Sequence, residues 1–371
     1  MYSESDIANA VDAGAISPEA AAAFRDYVAT SRSAPAVDEE HFRLLSGFND
    51  IFVAIAATLI LVAAARIGAL GGFALVPGSF DTPREMGAGM AAGGGAVALV
   101  SWLLAEYFTR VRRMSLPSIL LLLAFVGGIG AGLSGLFVAN APWIEQQFGP
   151  MNDLQHRQLG AATMAVVGAL TAGAAWLHWR RFMVPITVAA GAAALVGVTV
   201  GTTLALFPET RDAVYPMLLA AGLVVFALAM WWDRSDLERK TRRSDVAFWL
   251  HLAAAPLIAH PVFQMLGVFN GDISGATAAI VLALYVGFAL VALAVDRRAL
   301  LVSSLGYVLY AMYTLFNATG DVELSASLTA LVIGSALLTL SAFWQPMRRQ
   351  LVGMLGGIGD HLPPTAPLAH A

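Results

Sequence analysis

Residues 246–272, VAFWLHLAAAPLIAHPVFQMLGVFNGD, decide the class of this protein. A helix needs about 20 apolar residues, at about 1.5 Å each, to cross the hydrocarbon core of a bilayer. This run meets that length and holds no ionisable group before Asp272 except two histidines. It also carries His251, His260 and Gln264, and Pro256 and Pro261 interrupt it. Polar groups in hydrocarbon cost free energy unless they are partnered, so this is where function is first sought. His178 lies beside the Arg180 and Arg181 pair and reads as interfacial, which confines the deep imidazoles to this one segment.

The whole chain agrees with its seventh apolar segment. Of 371 residues, 58% are hydrophobic and 12% are charged, whereas soluble domains carry about 25% charged residues. The pattern predicts an all-α, polytopic transmembrane helical bundle of about ten spanning helices, behind a small N-terminal cytoplasmic helical segment. The expected spans are 51–69, 87–107, 117–139, 159–177, 182–207, 214–232, 246–269, 276–295, 300–316 and 324–344. Alternate connections are basic: Arg110, Arg112 and Arg113; Arg180 and Arg181; Arg234 to Arg243; Arg297 and Arg298; and the flank at Arg348 and Arg349. By the positive-inside rule these turns and both termini face the cytoplasm. Trp176, Trp179, Trp231, Trp232, Trp249 and Trp344 mark the same boundary, as interfacial aromatics do. The domain division is 1–47, a helical segment and linker; 48–345, the membrane bundle; and 346–371, an interfacial segment followed by a disordered tail.

Before the membrane, Ser3 and Asp6 have capping-box spacing, and Ser17, Pro18 and Glu19 write a second helix start with Phe24 and Tyr27 on one face. A linker at 30–37 and a short helix at 38–46 complete the head, which reads as a helical spacer with too little core to fold alone or, alternatively, as a docking surface for a protein partner. No basic stretch followed by an apolar core precedes the first span, so that span is expected to serve as the targeting signal. The stretches DIANAVDAGAISPEAAAAFRDYV and DEEHFRLLSGFNDIFVAIAATLILVA resemble a bacterial family of predicted membrane proteins, domain of unknown function family 2157. The resemblance implies a short helical head before a many-pass region, in a bacterial cytoplasmic (inner) membrane. It brings no catalytic residue, ligand or cofactor.

Chemistry is sparse. The chain has no cysteine, which excludes disulfides and thiolate metal sites. His251 and His260, nine residues apart, fall on opposite helix faces and make a poor metal pair. No catalytic, cofactor-binding or metal residues are assigned, no cofactor is called for, and an enzyme is not favoured. A net charge of -4 argues against nucleic acid; the expected surroundings are the lipid bilayer, with any small-molecule ligand unknown. The best candidate is a polar intramembrane site. Gln264 lies one turn from His260. In the ninth segment Tyr307, Tyr310, Thr314 and Asn317 share a face, at a depth that lets Tyr310 and Thr314 meet His260. The leading reading is an integral membrane protein of undefined activity in which these groups hydrogen-bond and hold helices together; the alternative is a secondary transporter of a small solute or protons that uses them as a site. Small-residue spacings at Gly89 and Gly93, Gly128 and Gly132, and Gly197 and Gly201 allow close helix contact.

Overall fold

The computed structural model describes residues 7, 10–31, 48–76, 82–237, 239, 241–268, 275–298, 300, 301, 305, 306, 308–310, 312, 313 and 322–365. Helices account for nearly all of them: α1 (Pro18–Ser31), α2 (Phe48–Leu75), α3 (Pro83–Ala105), α4 (Ser115–Phe148), α5 (Asp153–Phe182), α6 (Ile186–Leu206), α7 (Val214–Arg234), α8 (Arg242–Met265), α9 (Gly275–Val295), α10 (Val322–Ala342) and α11 (Trp344–Met354). The all-α membrane bundle stands, but the count of ten spans needs correction. Among the described residues, α2 through α8 are long and apolar enough to cross, with α3 continuing to Val111, and α10 with α11 makes an eighth if that pair is one span bent by 73°. Of the 21 residues of α9, Ala279–Val295 form an apolar stretch, and much of the expected span at 300–316 lies outside the described residues.

Local chemistry sets the helix ends. Ser17 Oγ accepts from the Ala20 N–H at 3.1 Å and starts α1, as the sequence implied. The free N–H groups of that first turn, with Ser17, hold the Glu19 carboxyl below the usual carboxylate range. Phe24 and Tyr27 stay exposed. The Ser3 and Asp6 box, the 38–46 helix and most of the 30–37 linker lie outside the described residues. Asn152 and Gln155 form a reciprocal capping box at the start of α5, each bond at 2.9 Å. Helix α8 runs unbroken through Pro256 and Pro261, contrary to the interruption expected there.

Two packing styles divide the bundle. Helices α2, α3 and α4 meet backbone to backbone through glycine: a Cβ on Gly94 would stand 2.5 Å from the Gly132 nitrogen, and one on Gly135 would stand 2.4 Å from the Ala91 nitrogen. The spacings at Gly89/Gly93 and Gly128/Gly132 thus serve close approach, and in the third Gly201 does so, a Cβ there standing 2.7 Å from the Ala165 nitrogen, while Gly197 has open space around it. Beyond α5 side chains build most of the core, with one further backbone approach where a Cβ on Gly222 would stand 2.8 Å from the Leu257 carbonyl carbon. Val196, Val200, Val225, Leu250 and Ala254 join α6, α7 and α8, and Phe263, Val281, Leu293, Val308 and Trp344 fill the last third.

Each of the four arginine-bearing turns contains one left-handed residue that is not glycine: Arg113, Met183, Arg239 and Asp296, with φ between 52° and 58°. A left-handed residue lets a helix stop and reverse within a few residues. Four tight reversals therefore recur at the arginine-bearing turns.

Candidate functional site

Three buried ionisable side chains meet where α7, α8 and the turn after α9 come together. Asp233, next to last in α7, is 2% exposed; His251, in the third turn of α8, is 0% exposed; Arg297, directly after left-handed Asp296, is 2% exposed. His251 Nε2 lies 2.8 Å from Asp233 Oδ2. Arg297 Nη2 donates to Asp233 Oδ1 at 2.5 Å, and its Nε to Oδ2 at 3.4 Å. The same Nη2 reaches the carbonyl and hydroxyl oxygens of Ser244, each at 3.2 Å. One carboxylate is thus shared by an imidazole and a guanidinium.

That geometry fixes the tautomer. A carboxylate only accepts, so Nε2 of His251 carries its proton, and Nδ1 is left with a lone pair. Nδ1 is buried and has no hydrogen-bond partner among the described residues. The Phe226 ring stands 5.2 Å away. With the imidazole uncharged, Asp233 and Arg297 cancel and the trio is neutral. A second proton on His251 would set two cations on one carboxylate, and like charges at about 4 Å repel by roughly 4 kcal/mol at an effective dielectric near 20.

Arg297 is tied to a second network through its neighbour. Asp296 Oδ2 accepts from Arg239 Nη1 at 3.0 Å, and its Oδ1 accepts the Trp344 indole N–H at 2.7 Å. Arg348 Nε is 3.6 Å from that same oxygen, while its Nη1 and Nη2 donate to the carbonyls of Pro364 and Pro363. Residues 362–365, expected to be disordered, are therefore strapped onto α11. Arg298 stacks on Trp344 at 4.9 Å, which buries an indole expected at the interface.

The first half carries a paler counterpart. Glu106, in a π-helical turn at Glu106–Val111, receives Arg181 Nε and Nη2 at 2.7 and 2.9 Å, and Arg110 Nη1 at 3.3 Å, but this clasp is open to solvent. His178 is a correction: it is fully buried, boxed by Trp102, Phe125 and Phe182, with Thr187 Oγ1 at 3.4 Å from Nδ1. No acid faces it in these contacts. The deep imidazoles are therefore split between two helices.

The site expected around His260 is placed as follows. His260 is half-buried with Tyr215 at 6.2 Å, Gln264 is half-buried, and Tyr310 is 37% exposed. Tyr307, Thr314 and Asn317 lie outside the described residues. The two segments do meet in one core, through Ala259 and Phe263 on one side and Val308 and Met312 on the other. An apolar groove of about 410 Å³ opens between α6 and α7, lined by residues including Leu195, Thr199, Met217 and Val224.

Asp233 and Arg297 are the residues that sequence reasoning missed. Each stands beside another arginine at the end of an apolar run, where any charge reads as loop. One signal was available: both belong to an Asp-Arg pair at such an end, Asp233-Arg234 and Asp296-Arg297. Compared with known protein families, curated proteins and solved structures, the chain matches none.

Proposed function

We propose that this integral membrane protein is a proton-linked secondary transporter of a small solute, with the coupling proton exchanged at His251 against Arg297 for the single carboxylate of Asp233. The observation that carries the reading is that shared, buried carboxylate at the end of a membrane span. Intramembrane acids paired to histidine or arginine mark proton relays and ion pathways. Protonating Nδ1 of His251 makes the imidazole a competitor for Asp233 and weakens the hold on Arg297. Because Asp296 sits next to Arg297 and gathers Arg239, Trp344 and Arg348, release of Arg297 would loosen the whole arginine-rich end. A proton is thereby converted into motion of a turn, the kind of bistable element that alternating access requires.

This reading places the protein in a bacterial cytoplasmic membrane with its arginine turns and both termini inside, and keeps the likeness to family 2157 as part of the proposal. The exposed Phe24 and Tyr27 of α1 supply the head with a surface for a protein partner. The proposal replaces His260 by His251 as the working imidazole and leaves His260, Gln264 and Tyr310 as candidates for lining the solute path.

The test is reconstitution into vesicles loaded with a pH-reporting dye, challenged in turn with amino acids, sugars, mono- and dicarboxylates and alkali cations. At least one class should move protons, and Asp233→Asn should abolish that flux in protein that inserts normally. A wild-type protein that evokes no proton movement with any class, or an Asp233→Asn variant that transports as well as wild type, would sink the proposal.

A further inference from the structure

We propose that the pocket between α11 and the C-terminal strap binds a soluble phosphate monoester through Arg349. The site lies apart from Asp233, and its assignment does not rest on the transport reading. Arg348 and Arg349 are adjacent in sequence but differ in what they meet. Arg348 is 1% exposed and directs both Nη atoms to the carbonyls of Pro363 and Pro364. Arg349 is half-buried, and among the described residues nothing accepts from its guanidinium.

Arg349 lines a pocket of about 730 Å³, one wall of which is the strap itself, from Pro363 to Thr365. That volume falls in the range that holds a small organic ligand. Among the described residues no acid lines it; Asp236, beside the lining residue Leu237, is turned to the N–H and hydroxyl of Thr241 at 2.8 and 2.6 Å. Part of the wall is bare backbone, since a Cβ on Gly353 or Gly356 would meet nothing within 4 Å. A guanidinium half withdrawn from water with no acceptor loses hydration that an oxyanion restores, and its two-pronged donor edge fits one. Thr365 brings a hydroxyl from the strap, so donors come from two elements. A tetrahedral phosphate can use both, whereas the guanidinium edge alone satisfies a planar carboxylate.

The geometry of α11 separates a dissolved ligand from a lipid headgroup. At about 100° per residue, Arg349 lies about 160° around the helix from Met347 and about 140° from Met354. Both methionines are exposed and form the side suited to lie on lipid. The pocket therefore faces away from the bilayer, toward the aqueous phase. A ligand there would hold the strap, and with it Arg348, whose Nε is 3.6 Å from Asp296 in the turn that carries Arg297.

Isothermal titration of the full chain in detergent with glycerol phosphate, at an ionic strength fixed with chloride, tests the assignment. Binding should be saturable, and hydrogen exchange should slow across residues 355–365. Arg349→Gln should weaken binding at least roughly tenfold. Gly353→Phe, placed where a Cβ meets nothing, should fill the pocket and weaken binding without removing charge, and neither variant should change the melting temperature of the ligand-free protein. The proposal falls if the wild type shows no saturable binding, if chloride alone gives the same protection, or if Arg349→Gln binds as well as wild type. It falls equally if glycerol phosphate is inert while phosphatidic acid vesicles protect the strap, which would assign the site to a lipid headgroup.

Discussion

The two halves of this bundle hold their helices together by opposite means. In α2–α4 the contact is backbone on backbone, with glycines removing every obstacle between Gly94 and Gly132 or Gly135 and Ala91. In α7, α8 and the turn after α9 an apolar side-chain core is joined by charge on charge, with Asp233, His251 and Arg297 all excluded from water. Both halves also place an acid–arginine clasp between neighbouring turns, Glu106 with Arg181 and Asp233 with Arg297. Only the second is buried. The contrast teaches that the same ion pair is ornament or keystone according to its access to solvent: water screens an exposed pair, whereas a buried one leaves a stranded charge when its partner goes.

Four substitution experiments break or sharpen that contrast. The largest effect is expected for Arg297→Met, which strands Asp233: a loss of about 3–5 kcal/mol of stability, read as a fall in melting temperature in detergent. Combining it with Asp233→Asn should restore most of the loss; a double variant no better than the single would mean the charge itself is not what matters. Next comes the glycine seam. Gly135→Val drives a side chain into Ala91 and should cost about 1–3 kcal/mol, whereas Gly127→Ala, with open space around it, should be neutral or gain about 0.5–1 kcal/mol. The paired histidines separate burial from charge. His251→Phe leaves the Asp233 carboxylate one donor short and should cost about 1–3 kcal/mol, while His178→Phe, whose one hydrogen bond is long, should cost about 1 kcal/mol or less. Equal losses at the two sites would erase the distinction drawn between them. Finally, Glu106→Gln should leave the melting temperature unchanged, and so should added salt.

Much of the architecture was legible because it is written in local chemistry. Apolar runs of spanning length, arginines at alternate turns and the Ser17 cap each depend on a few neighbouring residues. The last third resisted. Its apolar runs satisfy a composition rule, yet α10 meets α11 at 73°, a bend no window of hydropathy reports. The charged cluster was illegible for a different reason: Asp233 and Arg297 are 64 residues apart, and only the pairing of three segments makes them neighbours. His178 was misjudged because the flanking arginines suggested an interface, whereas Trp102 and Phe125 from two other helices enclose it. Along α8, His260 was chosen for its depth, but the acid that makes an imidazole chemically interesting meets His251.

The left-handed turns also decide where this chain will accept foreign sequence. At Arg113, which is exposed, an inserted epitope or fluorescent tag would displace little beyond its own reversal. The same cargo at Asp296 would part a guanidinium, an indole and the C-terminal strap at one stroke, so orientation mapping by fusion should begin at the earlier hinge and treat silence at the later one as damage rather than topology.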